Sequence, residues 1–271
     1  MVDRRRVAVW MRRMERSPPP QAPRPPRPPE PDRICGVAAV SAVFARRPRD
    51  VLRLFHLPSR RREANPFCAV MAEQRKPYRE VGEDELARVA GTVHHGGIVA
   101  VTARRRVPQL VLPLAPALRA APVLPVLDGV SNPHNLGAIA RSAAFFGCIG
   151  MVVSGDPRQA GLSDAAWRTS EGGLEVLSFW SVPDLPAALP QLGVMTVAAV
   201  SSGGVAPEAI LGKLGPRDCV ALVLGNEERG VAERTAAACD ARVTLPGSGR
   251  VESLNVSVAA AVLIHALSAR R

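Results

Sequence analysis

The sequence predicts two α/β units in series, the second built on a parallel sheet, and three observations carry that reading. Apolar residues make up 47% of the chain, enough to fill a core. Beyond residue 122, short continuous apolar runs alternate with helical patterns, as strands covered on both faces by helices do. Ahead of that region, Pro108, Pro113, Pro116, Pro122 and Pro125 interrupt an apolar stretch, and recurrent prolines break both helix and sheet. The chain therefore divides into a tail (1–33), a small α/β unit (34–107), a semi-rigid linker (108–122) and a larger α/β unit (123–271), in keeping with 271 residues.

The tail carries nine Arg and nine Pro, a composition that buries no core and predicts disorder or polyproline II. It reads either as solvated chain or as a non-specific RNA-binding arm. Its arginines are compatible with a transit peptide, but the prolines that follow favour a basic tail, and Val7–Met11 is too short for a secretory core. In the next unit, residues 36–44 read as a helix, 51–55 as a strand, 83–90 as a helix and 97–102 as a strand. Three basic clusters (Arg46, Arg47 and Arg49; Arg60 to Arg62; Arg104 to Arg106) suggest a phosphate-binding face. Up to residue 121 there are 24 basic and 11 acidic residues; after it, 11 and 13. The front half thus meets a polyanion while the back half does something else. Aromatics, at 4%, are too few for rows of base-stacking rings.

In the second unit strands are expected at 123–127, 149–153, 194–200, 220–224 and 241–245, and helices at 136–146, 163–171, 184–192, 231–239 and 254–267. The last helix is apolar on nearly every face, so it is buried in the core or against a partner chain. Ser253 or Asn255 can cap it. Five cysteines, odd in number and without a C-x-x-C pair, predict reduced thiols, a cytoplasmic protein and no zinc site. His94 and His95 read as a turn or an RNA-contacting pair, since no further metal ligands lie at useful spacing. No stretch resembles a membrane span.

In sheets of this kind chemistry sits at the carboxyl ends of the strands. Those ends read Asp128 to Asn135, Ser201 to Gly204, Gly225-Asn226-Glu227 and Pro246 to Gly249. Asn135 can cap the helix that follows it. Arg141, two turns into a small and apolar helix, either pairs with an acid brought near by the fold or faces a phosphate or a reacting oxygen. Gly225 allows close approach to the backbone; Glu227 can cap a helix, act as acid or base, or balance Arg141. Neither G-x-G-x-x-G after a strand nor a P-loop is present, which removes the two commonest phosphate-binding motifs.

In order and spacing these stretches resemble the three signature motifs of the SpoU (TrmH-type) branch of SPOUT RNA methyltransferases. Asn135 with Arg141 resembles the first, Gly225-Asn226-Glu227 the second, and Leu245-Pro246-Gly247 with Ser253 to Val258 the third. The front unit more faintly resembles the family's L30e-like substrate-binding domain, through Ile34-Cys35-Gly36 and His95 to Ala100. The resemblance implies an α/β knot, an exception to the rule that chains do not thread loops. It implies an S-adenosylmethionine pocket touching Ser201, Gly225, Asn226, Leu245, Pro246 and Leu254. It implies catalytic work by Arg141, Asn135, Glu227, Ser253 and Asn255, a homodimer whose active site is completed across the interface, and methyl transfer to a ribose 2′-OH of tRNA or rRNA. No metal is implied. The rival it leaves is a knotted paralogue that binds RNA without methylating it; methylation of a base is a second. The sequence departs from the family at Glu228, where Gly is usual, at Gly96, where Gln is common, and over Asp164 to Gly173, where a Ser-Ala-Gly pattern is usual.

Overall fold

The computed structural model describes residues 30–215 and 218–269, so the tail expectation lies, as far as residue 29, outside the described residues. Ordered structure starts before the expected boundary, with strand β1 at Asp32–Cys35. The front unit continues with α1 (Val37–Arg46), β2 (Val51–His56), α2 (Arg61–Glu73), β3 (Tyr78–Glu80), α3 (Glu83–Ala90) and β4 (Ile98–Thr102). Its sheet has the order β1-β4-β2-β3, with β4 antiparallel to both neighbours and β3 parallel to β2. Helix α2 was not expected: its first turn is Arg61-Arg62-Glu63 and Pro66 sits inside it, so the usual start and propensity signals are missing.

The linker is held rather than free. Leu110 N–H donates to the Ser181 carbonyl (2.9 Å), Ser181 N–H donates to that of Pro108 (2.9 Å), and Leu114 is buried. A short helix, α4 (Pro116–Arg119), precedes the second unit.

That unit runs β5 (Val123–Asp128), α5 (Pro133–Phe145), β6 (Gly150–Ser154), α6 (Asp164–Ser170), α7 (Gly173–Val176), β7 (Ser178–Val182), α8 (Leu185–Ala188), β8 (Met195–Ala199), α9 (Pro207–Leu211), β9 (Val220–Gly225), α10 (Glu233–Ala237), β10 (Ala241–Val243) and α11 (Val256–Ser268). The six strands lie in the order β10-β8-β9-β5-β6-β7, every pair parallel. Strand β7 was not expected, because Ser178 and Ser181 interrupt it and it lies at the sheet edge without the continuous apolar run of the central strands. The order reverses between β5 and β9, where Asp128 pairs with Gly225, and that switch point is where a ligand crevice opens.

The two units share one apolar core, in which Val40, Val43 and Phe44 of α1 join Trp167 and Leu174 of the second unit. Polar contacts close the seam. Arg47 grips Glu175 with Nη2–Oε1 at 2.6 Å and Nε–Oε2 at 2.9 Å, and both side chains are largely buried. Arg105 donates to the Leu174 and Leu177 carbonyls, and both guanidiniums lie over the Trp167 ring, at 5.5 and 6.0 Å. Arg61 pairs with Glu80 and Arg60 with Glu63. The central arginines of the three basic clusters, Arg47, Arg61 and Arg105, are thus paired with acids or held in the seam.

A buried pair that loses one partner leaves an uncompensated charge. Arg47→Ala is therefore expected to cost about 3–5 kcal/mol, read as a lowered urea midpoint. A loss below about 1 kcal/mol would place this pair with exposed ones.

Candidate active site

The first polar turn follows β5. Pro133 occupies the first helical position of α5, and Asn132, not Asn135, is its cap, accepting from His134 N–H at 2.9 Å. Asn135 is instead buried within the first turn. Its Nδ2 donates to Glu227 Oε1 at 2.9 Å, and its Oδ1 accepts from Asn255 Nδ2 at 3.2 Å. Asn255 caps α11 as expected, accepting from the backbone N–H and hydroxyl of Ser257. One chain of side chains, Glu227–Asn135–Asn255, therefore ties together the ends of β5 and β9 and the start of α11, positions up to 120 residues apart.

Glu227 is the anchor of this clasp. Beyond Asn135, its Oε1 accepts from Asn132 N–H (3.0 Å), and its Oε2 accepts from Ser131 N–H (3.0 Å) and hydroxyl (2.9 Å). Partial burial by itself would raise this carboxyl. The Asn135 amide and the Ser131 and Asn132 backbone donors outweigh burial and hold it down to about 2. A carboxylate that so strongly prefers its charged form is a poor proton acceptor near neutral pH, so its part is structural and electrostatic.

The second loop is a tight turn closed by reciprocal backbone bonds between Asn226 and Gly230, 3.0 and 2.9 Å. The Asn226 amide donates to the Gly129 carbonyl and its Oδ1 accepts from Glu228 and Arg229 N–H. The positive φ falls at Gly230, 68°, and Glu228 is not among the residues with positive φ. Glu at the family's usual Gly position is therefore unstrained. Gly225 meets a demand beyond the one expected: a Cβ there would lie 2.0 Å from the Gly230 carbonyl carbon and the Val231 nitrogen. It lets the loop fold back on its own strand.

Between these loops lies a cavity of about 670 Å³, lined by the ends of β8, β9 and β10, the 245–254 segment and one face of α11. Every residue expected at the cofactor lines it: Ser201, Gly225, Asn226, Leu245, Pro246 and Leu254. Glu227 and Ser253 line it too. Val231, Val243, Val256 and Leu263 form apolar walls that the sequence reading did not single out, because nothing in a lone valine marks a pocket. Apolar walls with a few convergent polar groups suit a nucleoside. Carboxylates at Glu227, Glu228 and Glu252 suit a cationic appendage, and together they fit S-adenosylmethionine.

Arg141 stands apart from this cavity. It is six residues beyond Asn135, about 9 Å along the helix and roughly 120° around it. Its side chain is 62% exposed, and its one ion-pair contact among the described residues is Glu171 at 4.0 Å. Asn135, Glu227, Ser253 and Asn255 make no hydrogen bond with it among the described residues, so within one chain they do not orient it. Arg141 shares a helix face with Phe145, which is 83% exposed. Phe145 leads through Phe146 to His265 of α11, at ring separations of 5.1 and 5.3 Å. On α11, Val258 and Val262 are exposed, whereas Ala260, Leu263, Ile264 and Leu267 enter the core. The helix expected to be buried in the core or against a partner chain leaves one apolar face outside the core of its own chain.

Burial pushes the Cys148 thiol up to about 12 and Cys35 to about 11, which leaves them unreactive. His95 is buried in a turn, its Nδ1 accepting from Gly97 N–H at 3.1 Å. No metal-holding group occurs, and no helix is long and apolar enough to cross a membrane, among the described residues.

Comparison with known proteins places this geometry. Residues 122–265 match the model of the SpoU rRNA Methylase family, and residues 33–108 match the RNA 2′-O ribose methyltransferase substrate binding model. The 23S rRNA (guanosine-2′-O-)-methyltransferase RlmB of Nitrosomonas europaea is 36% identical over 182 residues, 67% of this chain and 69% of that one. The uncharacterized tRNA/rRNA methyltransferase YfiF of Escherichia coli O157:H7 is 33% identical over 225 residues, 82% of this chain and 64% of that one. Among solved structures, the SpoU methyltransferase AviRb from Streptomyces viridochromogenes, in complex with the cofactor AdoMet, superposes with a TM-score of 0.69. It is 22% identical, covering 89% of this chain and 91% of that one, which makes it a likeness of fold. The chain belongs to the SpoU rRNA methylase family, the S-adenosylmethionine-dependent RNA 2′-O-methyltransferases, and consists of that family's α/β knot behind its substrate-binding domain.

Proposed function

We propose that the chain methylates a ribose 2′-OH of ribosomal RNA in the cytoplasm as a homodimer, with Arg141 of one protomer serving the cavity of the other. The observation that carries this reading is the division of the site: a cavity closed by the Glu227–Asn135–Asn255 clasp, and an exposed guanidinium outside it. Support for the dimer comes from the apolar face around Phe145, Val258 and Val262, which adjoins Arg141. Ribosomal RNA is the substrate named for the Nitrosomonas europaea relative.

S-adenosylmethionine supplies an already activated methyl group, so the protein's work is alignment and disposal of charge. Gly225, Leu245, Pro246 and Leu254, which line the cavity, would hold the cofactor, with Ser201, Asn226 and Ser253 supplying polar groups beside it. Arg141 meets the oxygen that gives up its proton to solvent, or the neighbouring phosphate, as a fixed cation. The 2′-OH exists only in RNA, which sets the choice over DNA.

The division of the site has a direct test. Arg141→Ala fails in the guanidinium and Leu254→Arg in the cavity, so neither homodimer turns over. Refolded together, a shared site restores one intact centre per heterodimer, about a quarter of wild-type activity in a statistical mixture. No recovery would mean that Arg141 serves its own protomer's cavity.

A further inference from the structure

We propose that Glu171 is a positioning residue for Arg141: a carboxylate that holds the guanidinium in free protein and yields it to an RNA phosphate on binding. The inference rests on the reading of Arg141 as the group that meets RNA. It begins with the backbone. Among the described residues only Arg75 and Glu171 are non-glycine residues at positive φ, and Glu171 sits at 48°, in the position that ends α6. Glycine or asparagine takes that conformation more cheaply, and an outlier of this kind points to a demand on the side chain.

The position is also fixed from both sides. Gly172, at φ 90°, backs onto α1, where a Cβ would meet that of Ala42 at 3.0 Å. Gly173 is pressed on the catalytic helix, with Ala140 O and the Arg141 Cα each 2.9 Å from where its Cβ would be. Thr169 takes up His134 at 3.0 Å near the start of the same helix. The turn at Glu171 is thus clamped between the substrate-binding unit and the helix that carries Arg141. Its carboxylate is delivered 4.0 Å from the Arg141 guanidinium and makes no other ion pair or hydrogen bond among the described residues.

The strength of the contact suits a temporary hold. Both side chains are more than half exposed, at 62% and 53%, and such pairs are weak. A phosphate that engages the guanidinium through two parallel hydrogen bonds outcompetes it. Glu171 is then a competitor that RNA must displace, and removing its charge tightens RNA binding through Arg141 alone.

The test is RNA affinity, measured by filter binding to deproteinised large-subunit rRNA, with the KM for the same RNA as a second reading. Glu171→Gln keeps the side-chain size and the backbone strain but loses the charge. It is expected to lower both Kd and KM about three- to fivefold, the size of an exposed ion pair. Glu171→Gly should do the same while raising Tm, since it also relieves the positive φ; a merely structural role would move Tm and leave KM in place. In an Arg141→Ala background Glu171→Gln should have no effect. An unchanged Kd, or the same gain without Arg141, overturns the proposal, the latter exposing a general charge effect. If Arg141→Ala itself alters neither turnover nor RNA affinity, the reading of Arg141 falls and the role of Glu171 falls with it. If that variant is impaired and Glu171→Gln is silent, only the role of Glu171 falls.

Discussion

Arg141→Ala is expected to reduce kcat for methyl transfer by about 10²–10³-fold, the cost of removing one fixed donor or charge that meets a developing oxyanion. Cofactor affinity should stay within about twofold, because the side chain is absent from the cavity lining and the clasp does not touch it. Folding should be unaffected: the guanidinium is exposed, and its only ion-pair contact among the described residues is weak. This combination separates Arg141 from every other residue of the site. Isothermal titration with S-adenosylmethionine and a single-turnover assay on RNA measure the two halves. A kcat within about threefold of wild type would take Arg141 out of the chemistry.

The second large effect falls on the opposite side of that division. Glu227→Ala removes the acceptor that joins Ser131, Asn132 and Asn135, and so unties the first loop from the second. The cofactor must then order both loops at its own cost, and its Kd should rise about 10- to 100-fold, or about 1.4–2.7 kcal/mol. The pH dependence follows from the carboxyl being depressed to about 2 from its ordinary value of 4.5. A depressed carboxyl adds stability in full above its unfolded value and loses it as pH falls through the folded one. The wild-type advantage over Glu227→Ala should thus be constant above about pH 4.5 and fade between about 4.5 and 2. Since much of this side chain faces solvent, screening limits the advantage to about 1–2 kcal/mol. Paired urea titrations at pH 7 and pH 3 read it directly. An advantage that grew towards low pH would contradict the hydrogen-bonding account of Glu227.

How far the sequence could be read depended on where each signal resides. The last helix was legible because Asn255 and the apolar run after it are neighbours, and cap and core stripe are both local patterns. The parallel sheet was legible because β5 and β9 carry continuous apolar runs. The wrong cap at α5 had a local signal that was missed: proline at a first helical position assigns the cap to the residue before it, Asn132. No local pattern revealed the clasp, because Asn135 and Glu227 are 92 residues apart and meet only through the β5–β9 pairing. The basic clusters concealed the seam for the same reason. Nothing near Arg47 or Arg105 in the chain says that Glu175 and Trp167 will arrive to take them out of solvent. The Pro-rich linker shows the converse, since its prolines suggested a spacer while Leu110 and Leu114 dock on the sheet edge and core.

The central claim is that three distant turns close one cofactor cavity whose methyl group is delivered to a ribose oxygen. Transfer from methyl-labelled S-adenosylmethionine to large-subunit rRNA, followed by digestion to nucleosides and separation, tests it most directly. The account predicts label in a 2′-O-methylated nucleoside, formed about 10²–10³-fold more slowly with Arg141→Ala. Label on a base, or no label from protein that binds both cofactor and RNA, would contradict it.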